Sequence, residues 1–414
     1  MSAQNKDNQP HLASLVQAGD QQTEAVKIND YIFMAKDISN AYLINTSDGD
    51  VLVNTGFVTS TGRTQSLFEP VRSGPLRHII LTQAHPDHFG GVPVLKEADT
   101  KVIAERRFVD TWQFFDRLGP YLKGRSGKLW TSTIKGRDTL VIPEIIPDIE
   151  VNEQYNFEQG GRRFEVISAP GGEAPDGLVV WMPNEKIVFT GNLFGPVFMA
   201  MPNLCTTRGD KPRSATLWLK CLEKVRDLNA EVLITGHGDP IEGADTIRQN
   251  LDKMHAAVTY IVDATFEGMN AGKDVHTLMR EIRLPADLQI GEFHGKVSWA
   301  VRTIWEEHSG WFHMDYTTSL YAVPRSSVAA DVVELAGGVT PLAARAQQKL
   351  DDGQALEALH LLEIALDAEP DHKDALTVKK SVLNVLLEQS GGSNMSEVMW
   401  LRTELAGIDA KLAG

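Results

Sequence analysis

The stretch TQAHPDHFGG at residues 82–91 decides how the rest of this sequence is interpreted. It follows the apolar run at residues 78–81, which predicts a strand, and it places two imidazoles and a carboxylate close together at His85, Asp87 and His88. Imidazole and carboxylate groups are ligands of divalent metals such as zinc, and a short loop after a strand can direct several of them to one point. The sequence therefore predicts a metal site in this loop.

The bulk composition is that of a globular protein and argues against some partners. A chain of 414 residues is long enough for two or three domains, and 42% hydrophobic with 23% charged residues is ordinary for a globular fold. A formal charge of −15 argues against nucleic acid or an anionic membrane as a partner. We expect no membrane span because no run of about 18 apolar residues occurs. Two cysteines and a polar N-terminus predict a reduced, cytoplasmic protein.

Short apolar runs separated by turn residues dominate the first half of the chain. Residues 1–24 are polar and are predicted to be flexible. Strand-like runs then alternate with segments of helical periodicity up to about residue 245, in two similar halves. This pattern predicts an αββα sandwich with the site along one sheet edge. The predicted strands lie at residues 31–34, 41–45, 51–54, 78–81, 163–168, 178–181, 187–189 and 231–235.

Helical patterns replace strands after Pro240, so the fold class is α+β with an all-α C-terminal region. We expect a helical dimerisation region at 246–332 and a further helical region at 333–414 that contains a tetratricopeptide-like helix pair. An apolar stripe from Ile247 to Phe266 is the reason for expecting a homodimer, since a monomer rarely exposes so much contiguous apolar surface. Residues 25–245 form the predicted catalytic domain.

The loop at 82–91 resembles the H-x-H-x-D-H signature of the metallo-β-lactamase superfamily, with Gln83 in the first histidine position. Three further segments narrow the resemblance to the alkylsulfatase branch of that superfamily. APGGEAP at 169–175 is similar to a motif of that branch in which a glutamate replaces a histidine, and NLCTTRG at 203–209 resembles its asparagine–arginine stretch. Residues 293–312 look like part of its helical dimerisation domain.

The resemblance implies two neighbouring zinc positions. Gln83, His85 and Glu173 would hold the first ion, and Asp87, His88 and His237 would hold the second. A bridging carboxylate is usual in the turn at 190–192, where this chain has Gly191 and Asn192 instead. Both departures remove ligand strength or negative charge, so we expect one or two zinc ions with one of them weak or absent.

By the same resemblance, Asp87 orients a metal-activated water, and Arg208 and Asn203 hold the head group of the substrate. The aromatic run at 108–115 and the apolar run at 194–201 either line a pocket for the organic part of the substrate or pack in the core. The expected function is hydrolysis of a sulfate or related ester, or of an activated ether, in a small organic substrate with an anionic or polar head group.

Two alternatives stay open from the sequence. The substitutions at Gln83 and Asn192 are also those expected of a metal-poor homologue that acts as a binding or scaffolding subunit. A zinc hydrolase of aryl ethers or lactones would carry the same ligands.

Overall fold

The computed structural model describes residues 11–130 and 142–414, so the first ten residues of the predicted flexible N-terminus lie outside it. The described residues form two compact units, residues 11–308 and residues 309–414. The sequence prediction placed domain boundaries at 245 and 332 instead, and that division stays a prediction.

The first sheet of the larger unit contains seven strands that lie side by side in chain order. Strands β1 to β4 are antiparallel, and β4 to β7 are parallel to one another. The hairpin between β3 and β4 turns at Ser47 and Asp48, where Thr46 pairs with Gly49, and Gly49 takes the positive φ of 89° that favours glycine. The bounds are β1 Val26–Lys27, β2 Ile32–Ala35, β3 Ala41–Thr46, β4 Gly49–Val53, β5 Leu76–Ile80, β6 Lys101–Glu105 and β7 Ile149–Val151.

The second sheet contains six strands, in the order β13-β12-β11-β10-β9-β8. Its strands are antiparallel except for the parallel pair β11 and β12. Every residue of β10 and β11 is buried, as expected for central strands that are covered on both faces. The bounds are β8 Gln154–Gln159, β9 Arg162–Ser168, β10 Leu178–Met182, β11 Ile187–Gly191, β12 Val232–Thr235 and β13 Ile241–Glu242.

The two sheets pack face to face, and helices cover both outer faces. The interior joins Ile44 and Val53 of the first sheet to Val180 and Phe189 of the second. The other face of the first sheet packs against helices α2 to α5, and that of the second sheet against α7 to α10. The predicted αββα sandwich is therefore confirmed. The helices of this unit are α1 His11–Val16, α2 Thr61–Phe68, α3 Pro86–Phe89, α4 Val92–Leu95, α5 Phe108–Arg117, α6 Gly119–Trp130, α7 Ala215–Asp227, α8 Ala244–Asn270, α9 Val275–Glu281 and α10 Val297–Ser309.

The apolar stripe of α8 is covered by the chain itself. Ile247, Leu251 and Val258 are fully or nearly fully buried in the same core as α7 and the second sheet. The periodicity correctly predicts a helix with one apolar face, but the inference that this face is an exposed dimer surface was wrong. The periodicity of a helix does not identify which neighbour covers its apolar face.

A short helix, α1, lies within the stretch that the sequence analysis expected to be flexible. It buries Leu12, Ala13 and Val16. Its apolar residues do not stand out in the sequence, because the helix is only six residues long.

The smaller unit is entirely helical in its described residues. Its core joins Ala346, Ala358 and Val382 from three successive helices, and the Asn394 side chain caps the last helix by accepting from the Glu397 N–H at 3.1 Å. The all-α region is confirmed, whereas the tetratricopeptide-like pairing stays a prediction. No single helix among the described residues is long and apolar enough to cross a membrane. The helices are α11 Ala329–Leu335, α12 Val339–Asp351, α13 Ala355–Ala368, α14 Lys373–Gln389 and α15 Met395–Ala413.

Candidate metal centre

The loop between β5 and α3 presents the residues that the sequence analysis placed at its centre. His85 has an extended backbone with φ −84° and ψ 137°, and Pro86 starts α3 with the backbone angle that a first helical turn needs. Asp87 and His88 then follow on α3 itself. A side chain at Gly90 would come within 2.5 Å of the Val58 backbone nitrogen, so only glycine lets α3 approach the neighbouring loop this closely.

The third predicted ligand of the second metal position comes from the other sheet. His237 follows β12, and its loop is held by Asn40, which donates from its backbone N–H to the Gly236 carbonyl at 2.7 Å and from its side chain to the Gly238 carbonyl at 2.8 Å. A side chain at Gly236 would collide with the Asn192 side chain at 2.2 Å. The sandwich thus brings residues about 150 positions apart in the chain to one edge.

Asp87, His88 and His237 form a cluster that could hold a metal ion, called the metal-binding cluster, in which one ligand atom of each residue lies within 4.8 Å of the others. His88 Nε2 and both ring nitrogens of His237 have no hydrogen-bond partner within the described part of the chain. A buried polar atom without a partner costs about 1–3 kcal/mol. One ring nitrogen of each histidine lies close to the Asp87 carboxylate, so the cluster fits a divalent ion of the kind that imidazole and carboxylate ligands bind.

Two hydroxyl groups determine which nitrogen of His88 carries the proton. Ser39 Oγ and Thr82 Oγ1 lie 3.2 Å and 3.0 Å from His88 Nδ1. Ser39 donates its own proton to the Gly236 carbonyl, and Thr82 donates its proton to Asn54 Oδ1. Both oxygens can therefore only accept from Nδ1–H. The unprotonated Nε2, which lies 3.7 Å from Asp87 Oδ2, is left to face the metal position.

The electrostatics keep this cluster in the protonation state that binds metal. Burial lowers the pKa of His88 to about 4 and also lowers the pKa of His237, so both rings are neutral near pH 7. Burial raises the pKa of Asp87, but the adjacent His88 and His237 outweigh that effect and leave the pKa below its usual value. Metal binding therefore needs no proton to be displaced from these ligands at neutral pH.

The other predicted metal ligands also lie together in the structure, but they form hydrogen bonds with one another in two pairs, Gln83 with His85 and Asn192 with Glu173. The Gln83 amide nitrogen lies 2.5 Å from His85 Nδ1, and Asn192 donates from Nδ2 to Glu173 Oε2 at 2.9 Å. His85 Nδ1 lies 3.9 Å from that same Glu173 oxygen. The donor set for a first metal ion is thus gathered, with His85 Nδ1 and Glu173 Oε2 already hydrogen-bonded, whereas His85 Nε2 and Asn192 Oδ1 have no hydrogen-bond partner among the described residues.

Three residues near these ligands were missed by the sequence analysis. Arg213 Nη2 lies 3.2 Å from Asp210 Oδ2. His294 is buried and lines a cavity beside the metal-binding cluster. Burial lowers the pKa of His294 to about 4. Asp210 and Arg213 follow directly on the stretch 203–209, so the position of that motif was the one signal that could have identified them.

A cavity of about 490 Å³ opens beside the metal-binding cluster. Asp87, His237 and Arg208 line it together with apolar side chains. Among the described residues, Asn203 does not line this cavity, because it is buried and its carbonyl accepts from Arg213 Nη1. Helices α1, α5 and α6 contribute large apolar side chains to the wall of this cavity, namely Leu12, Val16, Trp112, Phe115, Leu122 and Trp130.

The two apolar runs considered for the substrate pocket contribute unequally. Trp112 and Phe115 of the first run line the cavity, whereas Phe108 is buried in the core of the first sheet. From the second run only Pro196 lines the cavity among the described residues, and Phe194 packs in the core of the second sheet.

Comparison with known families agrees with this geometry. Residues 35–237 match the metallo-beta-lactamase superfamily, a stretch that begins in β2 and ends at His237. The chain carries a metallo-β-lactamase domain. Residues 275–403 match the alkyl sulfatase dimerisation family, so the resemblance to the alkylsulfatase branch is confirmed as well.

Similar proteins include several alkylsulfatases. The chain is 25% identical to a linear primary-alkylsulfatase of a Pseudomonas strain over an alignment of 399 residues. This alignment covers 90% of this chain and 74% of that protein. It is 26% identical to the alkyl/aryl-sulfatase BDS1 of Saccharomyces cerevisiae, over 92% of this chain and 62% of that protein. The chain spans 74% of the length of the first of these relatives and 62% of the length of the second.

The fold also matches a solved structure over its whole length. The stereoselective inverting sec-alkylsulfatase from Pseudomonas sp. superposes with a TM-score of 0.84 at 21% identity, covering 100% of this chain and 69% of that one. At this level of identity the similarity concerns the fold.

The hydroxyl contacts to His88 predict how metal affinity responds to mutation. Thr82→Val removes one acceptor for Nδ1–H while keeping the shape of the side chain, so we expect the zinc dissociation constant to rise about 10- to 100-fold. Thr82→Ser keeps the hydroxyl and is the matched control. Competition with a chromophoric chelator measures both constants. A Thr82→Val variant that binds zinc as tightly as Thr82→Ser would show that this hydroxyl does not orient His88.

Proposed function

We propose that this protein is a metal-dependent hydrolase that cleaves sulfate esters of small organic molecules. The observation that carries the proposal is the cluster of Asp87, His88 and His237, which contains buried nitrogens without a partner among the described residues and of which Asp87 and His237 line the same cavity as Arg208 and an apolar wall. The relatives named as alkylsulfatases support the choice of a sulfate ester over other esters. In the reaction one water is consumed, the ester bond breaks, and an alcohol and hydrogen sulfate leave.

Each side chain of the site has a role in this proposal. Asp87, His88 and His237 would hold a divalent ion, with zinc the best match to these ligands. When bound, such an ion polarises the ester and lowers the pKa of water, so that water can attack near neutral pH. Asp87 also orients that water by accepting a hydrogen bond, and its negative charge offsets part of the charge of the ion.

In this proposal, side chains that line the cavity recognise the substrate. The guanidinium of Arg208 is suited to an anionic head group, because its planar set of donors matches the oxygens of a sulfate. Trp112, Phe115 and Trp130 provide apolar surface for the organic part. Because Asn203 is not among the described residues that line the cavity, the proposal retains only Arg208 for the head group.

A substrate panel tests this function and separates it from the alternatives. Purified protein is assayed with octyl sulfate, an aryl ether and a lactone, each before and after treatment with a chelator. We expect release of sulfate from octyl sulfate, loss of this activity with the chelator, and recovery when zinc is added back. Hydrolysis of the ether or lactone alone would favour the alternative of a zinc hydrolase of aryl ethers or lactones. Full stability of the metal-free protein with no hydrolysis at all would favour a binding subunit.

Variants of the ligands belong to the same experiment. His88→Ala and His237→Ala should lose bound metal and hydrolysis together, while Glu173→Gln should retain most of the metal. His276→Ala, which changes an exposed histidine of α9, is the control. If Glu173→Gln lost all metal and His237→Ala kept it, the assignment of the metal-binding cluster would be wrong.

Arg208 makes a separate prediction about the substrate. Arg208→Ala should raise KM for octyl sulfate and lower kcat/KM by an amount equivalent to roughly 1.5–3 kcal/mol, as expected for a lost charged hydrogen bond. Arg208→Lys should recover only part of this loss, because an ammonium cannot form a bidentate contact. Arg248→Ala, on the exposed side of α8, should leave the kinetics unchanged. Unaltered kinetics in Arg208→Ala would refute the assignment.

We further propose that the chain forms a homodimer through the apolar segment at residues 311–335, which lies within the alkyl sulfatase dimerisation match. Trp311, Met314 and Leu335 are 73%, 85% and 89% exposed in the single chain, and large exposed apolar surface is typical of an interface. Light scattering at micromolar concentration should give the mass of two chains. Leu335→Glu should shift the mass toward one chain, whereas Glu334→Gln should not. A monomer mass for the wild type would contradict the proposal of a homodimer.

The cytoplasmic location of the protein stays a prediction from the sequence.

A further inference from the structure

The residues that resemble a first metal position differ from the metal-binding cluster in one respect. In the cluster, the ring nitrogens of His237 and Nε2 of His88 lack partners among the described residues. At the first position, His85 Nε2 also lacks a hydrogen-bond partner in the described part of the chain and lies 3.7 Å from Asp210 Oδ2, but His85 Nδ1 is 2.5 Å from the Gln83 amide nitrogen. Whichever amide atom faces the ring, the Nδ1 nitrogen is already used in a hydrogen bond. An imidazole nitrogen used in this way is not free to bind a metal.

Glu173, the carboxylate of the first position, is also engaged. Its Oε2 accepts from Asn192 Nδ2 at 2.9 Å, and its Oε1 lies 3.8 Å from Arg213 Nη1. Glu173 is therefore an anion that an amide and a guanidinium already stabilise.

Arg213 is held between two buried carboxylates. Its side chain is 7% exposed, and it contacts Asp210, 6% exposed, as well as Glu173. Asp210 in turn lies 3.7 Å from His85 Nε2. A buried guanidinium is costly unless it is paired and hydrogen-bonded, and here it is paired twice and also donates to the Asn203 carbonyl. The Arg213 side chain thus supplies a fixed positive charge between Glu173 and Asp210.

We propose that the protein binds one metal ion, at Asp87, His88 and His237, and that the guanidinium of Arg213, between Glu173 and Asp210, takes the place of a second ion. Arg213 is then a positioning residue, which holds Glu173 and Asp210 at the edge of the cavity. The inference rests on the proposed function only in requiring that a metal is bound. It assigns roles to Asp210 and Arg213 that no motif in the sequence indicates.

Titration of the metal-free protein with Co²⁺ tests the stoichiometry without any assay of activity. Visible absorbance and elemental analysis after gel filtration should both reach a limit at one ion per chain. Two ions per chain would overturn this inference and leave the proposed function intact. Protein that binds no ion would overturn the inference and the proposed function together.

Substitution of Arg213 tests its specific role. Arg213→Met leaves Glu173 and Asp210 without their counter-charge, so this variant should take up a second Co²⁺ ion per chain. Arg213→Lys keeps the charge and should stay at one. Uptake of one ion by Arg213→Met, with an unchanged spectrum, would show that Arg213 does not exclude a second ion. Circular dichroism and thermal melting check that each variant is folded. If Arg213→Met does not fold, the number of Co²⁺ ions bound per wild-type chain decides the proposal.

Discussion

The hydrogen bonds from Nδ1 of His88 to two hydroxyl oxygens are the interaction on which the rest of the site depends. Ser39 and Thr82 each give their own proton to a carbonyl oxygen, and so both must accept from the ring. This fixes Nε2 as the free nitrogen, next to Asp87. Because burial keeps His88 neutral, the ring is ready to bind a metal near neutral pH.

The fold explains how these groups meet. Helix α3, which follows β5, carries Asp87 and His88, the turn before β3 carries Ser39, and the loop after β12 in the second sheet carries His237. The two sheets bring these loops to one edge, where the cavity opens. The hydrogen bonds from Asn40 to the His237 loop cross between the sheets, so packing of the sandwich and geometry of the site depend on one another.

Much of this could be predicted from the sequence, because strands with covered faces and a ligand-rich loop leave a local pattern. Strands β3 and β4 and the candidate ligands Asp87 and His88 follow from such patterns, whereas His237 was assigned by the resemblance to a known superfamily. The stripe on α8 was assigned to the wrong neighbour, since periodicity shows an apolar face but not what covers it. Arg213 and Asp210 were missed because their contacts with Glu173 and His85, which give them a place at the site, join distant parts of the chain. Helix α6 was missed as well, since its three glycines disguise its helical pattern.

We propose that two neutral imidazoles and one carboxylate bind a single metal ion, and that the Arg213 guanidinium takes the place of a second ion beside His85 and Glu173. Anomalous diffraction at the zinc edge, from crystals grown with zinc, tests it directly. The account predicts one peak, about 2.0–2.1 Å from His88 Nε2 and in contact with Asp87 and His237, with no peak near His85 and Glu173. A second peak of similar height between His85 and Glu173 would contradict it.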